Sequence, residues 1–219
     1  AIVGDELHPV GRVRDFSPYI AKIKASGADT VVTGNWGNDL TLLVRAAREA
    51  GVALNFYTFY ANGLGAPAAI GDAGVGRTRA VAEWHPNAPP IAMERVYIDF
   101  RQRFPDARDD YFQARTIVMI EMLARAIEMA GSTEALAVVR ALEGMRMTVD
   151  DGSPLGTVVM RASDHQLVGP LIVSVMARQG DANVRFDVEG SGFGFRSELS
   201  VGPERTERPT RCRMPAVAR

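Results

Sequence analysis

The hydrophobic and polar positions of this chain switch between two periods. Residues 29–34, DTVVTG, are a short β-branched run closed by Gly34, the pattern of a buried strand. Leu40, Leu43, Val44 and Ala47 then recur at helical spacing and share one face. Asn38 or Asp39 can open that helix by accepting a backbone N–H. Gly51 stands where a left-handed residue closes one. ALNFYT, residues 53–58, reads as a second strand. Two strands joined by a helix run parallel, with a right-handed crossover.

The same alternation extends both ways. Residues 2–7 read as a first strand ending in the acidic loop Asp5-Glu6-Leu7-His8-Pro9. DFSPYIAKIKASG predicts a helix capped by Asp15 or Ser17, with Pro18 in the first turn and Gly27 at the end. Its buried stripe is Phe16, Tyr19, Ile20 and Ile23. APAAIGDAGVGRTRAVAEW predicts a short helix, a glycine turn and a strand around Arg79 to Trp84. Strand and helix in alternation indicate an α/β fold with a parallel sheet.

His85-Pro86-Asn87-Ala88-Pro89-Pro90 breaks this pattern and suits a crossover or a loop. Three helical patterns follow. Residues 90–104 carry Ile91, Val96 and Phe100 as apolar positions, closed by Pro105. Asp109 or Asp110 opens a long helix to Ala130, closed by Gly131. Ser132 or Thr133 caps a short one to about Glu143. The long helix is apolar on more than one face (Ile117, Val118, Ile120, Met122, Leu123, Ile127), which predicts deep packing. Further on, DDGSPLG reads as a loop, and TVVMR and QLVGPLIVSVMA as strands. NVRFDVEG reads as a further short strand, and from Ser191 onward the chain reads as extended tail.

Composition narrows the class. The 219 residues, 47% hydrophobic and 23% charged, suit one large or two small globular domains. A net charge of −1 gives no basic field for nucleic acid. No apolar run is long enough to span a bilayer, so no membrane insertion is expected. The chain opens AIVGDEL, without a leader, and a piece is expected to be missing upstream. Its single cysteine, Cys212, has no partner for an internal disulfide. In an exported protein it either pairs elsewhere or stays a free thiol.

Candidate chemistry lies at the carboxyl ends of the strands, where parallel sheets hold ligands. Those ends carry Asn35, Trp36, Tyr57, Phe59, Tyr60 and Asn62. They make an aromatic wall with amide and hydroxyl groups, suited to a small organic ligand. The same rings also serve as a plain cap on a core. Glu83, Trp84 and His85 extend the set. Glu83 can neutralise an ammonium, although a surface position or pairing with Arg79 is the simpler reading. Catalytic signals are poor. His8, His85 and His165 are scattered, and Asp5, Glu6 and His8 lack any metal-ligand spacing. No GxSxG, P-loop or GxGxxG is present. No catalytic residue, metal or cofactor is expected.

The run GDELHPVGRVRDFSPYIAKIKASGADTVVTGNWGNDLTLLVRAAREAG is specific. It resembles the C-terminal lobe of solute-binding proteins of the branched-chain amino-acid (Leu/Ile/Val) ABC-transporter class. RASDHQLVGPLIVSVM and the terminal RCRMP resemble the closing segment of that subgroup. The resemblance implies a type I periplasmic-binding fold: three-layer α/β lobes with parallel sheets, joined by three crossings and closing on a ligand by a hinge. By that likeness residues 1–86 are lobe II without its first part, residues 87–166 return to lobe I, and residues 167–219 cross back and end in a tail. Most of lobe I is then absent, which implies exposed apolar surface and weakened ligand binding.

The resemblance also assigns residues. Asn35-Trp36 match the aromatic position after one lobe II strand, and Tyr60 matches the acidic position that holds a ligand ammonium in amino-acid binders. A phenol cannot replace a carboxylate there, so an aromatic or other organic acid becomes an alternative ligand. Tyr111 and Phe112 resemble the lobe I aromatic that packs on the ligand. The implied function is a periplasmic solute-binding protein, not an enzyme, that delivers a small molecule to the membrane permease of an ABC importer. A ligand-sensing receptor domain of the same fold, or a small α/β enzyme using Asp5, Glu6, His8 or His85, are the alternatives.

Overall fold

A computed structural model of the chain describes residues 1–89, 91–148, 150, 153 and 155–212. The side chain of Ile91, Asp151, Gly152 and Pro154 of the DDGSPLG loop, and Arg213-Met214-Pro215 of the terminal motif lie outside the described residues. In chain order the elements are α1 (Ser17–Ala25), β1 (Thr30–Val32), α2 (Gly37–Glu49), β2 (Asn55–Thr58), α3 (Ala66–Ile70) and β3 (Thr78–Ala82). Then come α4 (Ile91–Arg103), α5 (Ala114–Ala130), α6 (Ala135–Leu142), β4 (Arg146–Met147), β5 (Val158–Met160) and β6 (Leu167–Val168). The chain closes with β7 (Leu171–Arg178), β8 (Phe193–Val201) and α7 (Pro203–Thr206).

The main sheet has the order β1-β2-β3-β7-β8. β1, β2 and β3 are parallel, as the strand–helix alternation requires; β7 is antiparallel to β3, and β8 is antiparallel to β7. α1, α2 and α3 cover one face. Phe16 just before α1 and Ile20 within it, Leu40, Leu43, Val44 and Ala47 of α2, and Ile70 of α3 pack on Phe56, Ala80, Met176 and Phe195 of the sheet. The two apolar stripes read from the sequence, including half-buried Tyr19 and Ile23, are therefore the buried faces. The opposite face is more open. Tyr57 is in register with Val32 and Arg79 there. The Arg79 guanidinium lies 5.3 Å from the Tyr57 ring centroid and bonds Glu198 at 2.7 Å and Asn55 at 3.1 Å. Val32 is 80% exposed, so among the described residues this sheet shows two of the three expected layers.

A second core joins Trp84, Met93, Tyr97, Val118, Met122, Ala126, Val138, Met147, Val158 and Ile172. It holds α4, α5, α6 and the small antiparallel sheet β4-β5-β6. β7 serves both cores, since Ile172 belongs to the second and Met176 to the first.

Several expectations are corrected. Residues 2–7 form no strand; Ile2 and Leu7 are more than 90% exposed, and without a ladder partner an extended segment has nothing to stabilise it. QLVGPLIVSVMA is two strands, not one. Pro170 has no N–H to continue a ladder, and the break passes the chain from the small sheet to the main one. The segment 183–190 is turn and loop rather than strand, and the supposed tail contains β8, a nine-residue strand paired along β7. A bulge between Val173 and Ser174 shifts its register. Arg196, Glu198 and Ser200 do alternate with Phe195, Leu199 and Val201, but Gly194 and Ser197 interrupt the apolar series and weaken the period-two signal.

Helix ends also differ. Neither Asn38 nor Asp39 caps α2. Trp36 occupies that position in extended conformation, and buried Asp39 instead accepts from the Gly11 N–H at 2.8 Å. Of Asp15 and Ser17, Asp15 makes the bond, accepting from the Ser17 N–H. α5 begins at Ala114, later than Asp109 or Asp110, because those residues lie in and after a short 3₁₀ turn. α6 is capped by Glu134, which accepts from the Leu136 N–H, and Ser132 in turn accepts from the Glu134 N–H. Gly51 and Gly131 do take the left-handed conformation that ends α2 and α5. α4 buries Met93 and Tyr97 rather than Val96. α5 buries Ala114, Val118, Met122 and Ala126, and Met119, Ile120, Leu123 and Met129 are exposed. Its second apolar face is thus real but uncovered.

Phe56 is 2% exposed at the centre of the first core. Phe56→Ala is expected to lower unfolding free energy by about 3–5 kcal/mol through lost burial and a residual cavity. Urea unfolding followed by circular dichroism measures it.

Candidate functional site

Three parallel strands end at one edge, so the residues just beyond Val32, Thr58 and Ala82 are neighbours by topology. These are Asn35 and Trp36 after β1, Phe59, Tyr60 and Asn62 after β2, and Glu83 and Trp84 after β3. Trp36 and Phe59 are each 60% exposed and Tyr60 is 50% exposed. Large rings at strand ends normally bury themselves; three left open on one edge form a surface for an apolar partner. Tyr57 stands apart from them. It sits within β2, under Arg79, on the open face of the sheet.

Asn35 is already engaged. Its Oδ1 lies 2.8 Å from His8 Nε2, its backbone N–H donates to Thr33 Oγ1, and its carbonyl accepts from Thr58 Oγ1. His8 packs edge-on against Phe16 and Tyr19, with centroids 5.1 and 5.8 Å apart. The irregular N-terminal segment is thereby fastened to the edge of the site by residues 8 and 11.

The second core reaches the same edge through the start of α5. Arg115, in the first turn, forms an ion pair with Glu83. Glu83 does not pair with Arg79, whose guanidinium is taken by Glu198. Phe112 belongs to an aromatic cluster with Trp84, Tyr97 and Phe100, at centroid distances of 5.2–5.4 Å. Tyr111 beside it is 62% exposed. The buried Trp84 Nε1 has no hydrogen-bond partner among the described residues.

Beneath the edge, the crossing between the two cores is tightly bonded. His85 is 2% exposed; Nδ1 accepts from the Asn87 N–H at 3.3 Å and Nε2 lies 2.9 Å from Ser197 Oγ. This arrangement corresponds to the neutral Nε2–H tautomer. Burial pushes the His85 pKa down to about 4. The Asn87 amide accepts from the Phe186 N–H at 2.8 Å and donates to the carbonyls of Phe186 and Phe195. A second tie runs through Asp110, which accepts from the Tyr97 hydroxyl and the Glu189 N–H, both at 3.2 Å. The Glu189 carboxylate accepts from the Gly65 N–H at the start of α3. Burial and the Asp110 charge push the Tyr97 pKa up.

Arg115, Ser197 and the Asp110–Glu189 tie were not signalled by motif or periodicity. Arg115 alone had a readable sign: a cation in the first turn of a helix opposes the helix dipole and asks for a counter-charge. Among the described residues no group of three or more His, Cys, Asp or Glu side chains could hold a metal ion. No helix among them is long and apolar enough to cross a membrane. A concavity of about 310 Å³ lies elsewhere, between α2 and α3, lined by Arg45, Arg48, Glu49 and Ile70.

A mixed sheet with an open edge at the ends of its parallel strands, and two cores joined by a bonded crossing, define an incomplete α/β architecture. The chain belongs to the periplasmic binding protein family, whose sequence model matches residues 1–181. It is 30% identical over 204 residues to Leu/Ile/Val-binding protein homolog 4 of Brucella abortus, covering 89% of this chain and 45% of that protein. The Leu-, Ile-, Val-, Thr- and Ala-binding protein of Brucella ovis, in its closed conformation, superposes with a TM-score of 0.82 at 26% identity, over 95% of this chain and 52% of that one. A solute-binding protein of an ABC transporter from Rhodopseudomonas palustris HaA2, in complex with p-hydroxybenzoic acid, gives 0.63 at 18% identity, over 88% of this chain and 50% of that one. The chain therefore spans about half the length of the relatives it matches, and its fold is an incomplete type I periplasmic-binding fold.

The buried histidine sets a pH dependence. Its folded pKa, about 4, lies below the ordinary 6.5, so between those values the unfolded chain takes up a proton that the folded chain refuses. Stability from this group is full above pH 6.5 and is lost as pH falls towards 4, by about 3 kcal/mol in total. Urea unfolding at pH 7, 5.5 and 4.5 is expected to show this loss, and His85→Gln to remove that part of the slope.

Proposed function

We propose that this chain is part of an extracytoplasmic solute-binding protein of an ABC importer. It binds a small organic solute, a branched-chain or other amino acid or an aromatic or organic acid, and presents it to a membrane permease. The observation that carries this reading is the set Trp36, Phe59 and Tyr60, kept open at the carboxyl edge of three parallel strands and faced by the start of α5. Residues 1–86 supply one jaw and residues 87–166 return to the other. The ring of Trp36 gives apolar contact, and Tyr60 and Asn62 give hydrogen bonds. Tyr111 and Phe112 line the opposing side, Tyr111 directly and Phe112 through the aromatic cluster that supports it. Closure bends the bonded crossing at His85–Asn87 and the strands beside it. No bond is made or broken, so the chain needs no cofactor.

A ligand that binds only the folded state raises the melting temperature by mass action. The full chain is expected to show such a shift with at least one of leucine, isoleucine, valine, phenylalanine and 4-hydroxybenzoate at millimolar concentration. Trp36→Ala is expected to weaken that ligand by about 10-fold or more, as loss of an aromatic anchor does, with the unliganded melting temperature unchanged because Trp36 is mostly exposed. No shift with any of the five removes the support for this reading.

A further inference from the structure

The loop between β2 and α3, residues 59–65, is fastened at both ends and loose in its middle. At its entry the Tyr60 N–H donates to Thr58 Oγ1 at 3.2 Å. At its exit the Gly65 N–H donates to the Glu189 carboxylate, and the Ala66 N–H to the Gly63 carbonyl at 3.1 Å. Between these ties stands the pair Asn62-Gly63. Asn62 is half-buried and Gly63 is exposed. The Asn62 side-chain amide makes no hydrogen bond among the described residues.

The chain holds six asparagines, and Asn62 alone precedes a glycine. That neighbour matters chemically. The backbone nitrogen of the following residue can attack an asparagine amide carbon and close a five-membered ring. A Cβ on that residue hinders the approach, and glycine has none. The side-chain oxygens of Asn35, Asn55 and Asn87 are moreover held, by His8, Arg79 and the Phe186 N–H. One contact opposes the attack at position 62: the Gly63 N–H donates to the Tyr60 carbonyl at 3.1 Å. A single turn bond at the surface is a weak hold, slowing a reaction that must break it by about 10-fold at most.

We propose that Asn62 is a site of spontaneous deamidation, which turns an uncharged stretch of the strand-end edge anionic. The Gly63 nitrogen bonds to Asn62 Cγ, and the Cγ–Nδ2 bond breaks. The amide nitrogen leaves as ammonia, carrying the proton that Gly63 gives up. Water then opens the cyclic imide at one of its two carbonyl carbons. The product is aspartate, or isoaspartate in which the main chain runs through the former side chain. Either carboxyl loses its proton at neutral pH, since such groups titrate at about pH 4. A negative charge thus appears two residues after Tyr60, in a loop where Phe59, Tyr60, Ala61 and Leu64 carry none. Isoaspartate also lengthens the main chain of a loop whose ends are tied. The reaction needs only water, so it stands apart from the solute-binding reading.

The test ages the full chain at pH 8.5 and 37 °C and follows intact mass, anion-exchange elution and peptide maps. The product is expected to gain the mass difference between NH and O, to elute as the more acidic form, and to map to Asn62 before any other asparagine. The native chain is expected to react within about 10-fold of the rate of the chain unfolded in guanidinium chloride. Gly63→Ala is expected to slow the reaction by about 10-fold or more. Asn62→Gln, which would have to close a six-membered ring, is expected to lose the product. A Cβ at position 63 would lie 3.2 Å from the Tyr60 carbonyl. Circular dichroism therefore checks the fold of Gly63→Ala, and its ageing is also measured in guanidinium chloride, where folding has no part. Deamidation that maps first to another asparagine overturns the proposal. So does a native chain more than about 10-fold slower than the unfolded one, or Gly63→Ala ageing as fast as the wild type in guanidinium chloride.

Discussion

The chain passes between its two hydrophobic cores at His85–Asn87, with His85 buried and Asn87 half-buried. A buried polar group without a partner costs more than a hydrogen bond returns, so each one placed there must be answered from inside the protein. Asn87 is answered on both sides by the backbone of Phe186 and by the Phe195 carbonyl. Its amide completes a ladder that the irregular segment cannot complete with its own main chain. His85 is answered by Ser197 on β8 and by the Asn87 N–H. These bonds tie the end of β3 to the returning loop and to β8, and β7 between them lends side chains to both cores. The position of one core against the other depends on this small polar knot.

The surrounding surfaces carry the mark of a shared architecture. α5 exposes Met119, Ile120, Leu123 and Met129, and β1 exposes Val32. Apolar groups on this scale are normally covered, and the chain spans about half the length of its relatives. By contrast, the face of the sheet beside Tyr57 is partly protected by its own chemistry. Arg79 lies across the ring and pairs with Glu198, and its stem shields the strand beneath. The Asp110–Glu189–Gly65 chain of bonds gives the two cores a second link far from His85 in sequence.

Electrostatically the strand-end edge is sparse. Uncharged rings and amides dominate it, and Asn35 is held by His8 rather than left free. In such surroundings a single ion pair carries weight out of proportion to its size, because few other groups can compensate either charge. Glu83 and Arg115 also come from different cores, so their ion pair is a further link between the two.

The sequence by itself determined the elements whose apolar periodicity is strong and whose partners are near. The stripes of α1 and α2, the parallel β1–β2–β3 order, the glycines that end α2 and α5, and the aromatic strand ends were all readable, because local spacing and steric limits on the backbone suffice for them. The family resemblance in residues 4–51 was readable for the same local reason. The tertiary structure alone decided the rest. β8 looks like a tail until β7 supplies its hydrogen-bond partner, and residues 2–7 look like a strand until no partner comes. The second apolar face of α5 cannot be told from a buried one by periodicity. Asp39 turns from the cap position to the Gly11 N–H, and Glu83 takes Arg115 rather than Arg79. Each of these depends on a residue distant in the chain. Charge pairing and ladder pairing are properties of two segments at once, and one segment's sequence specifies only half of each.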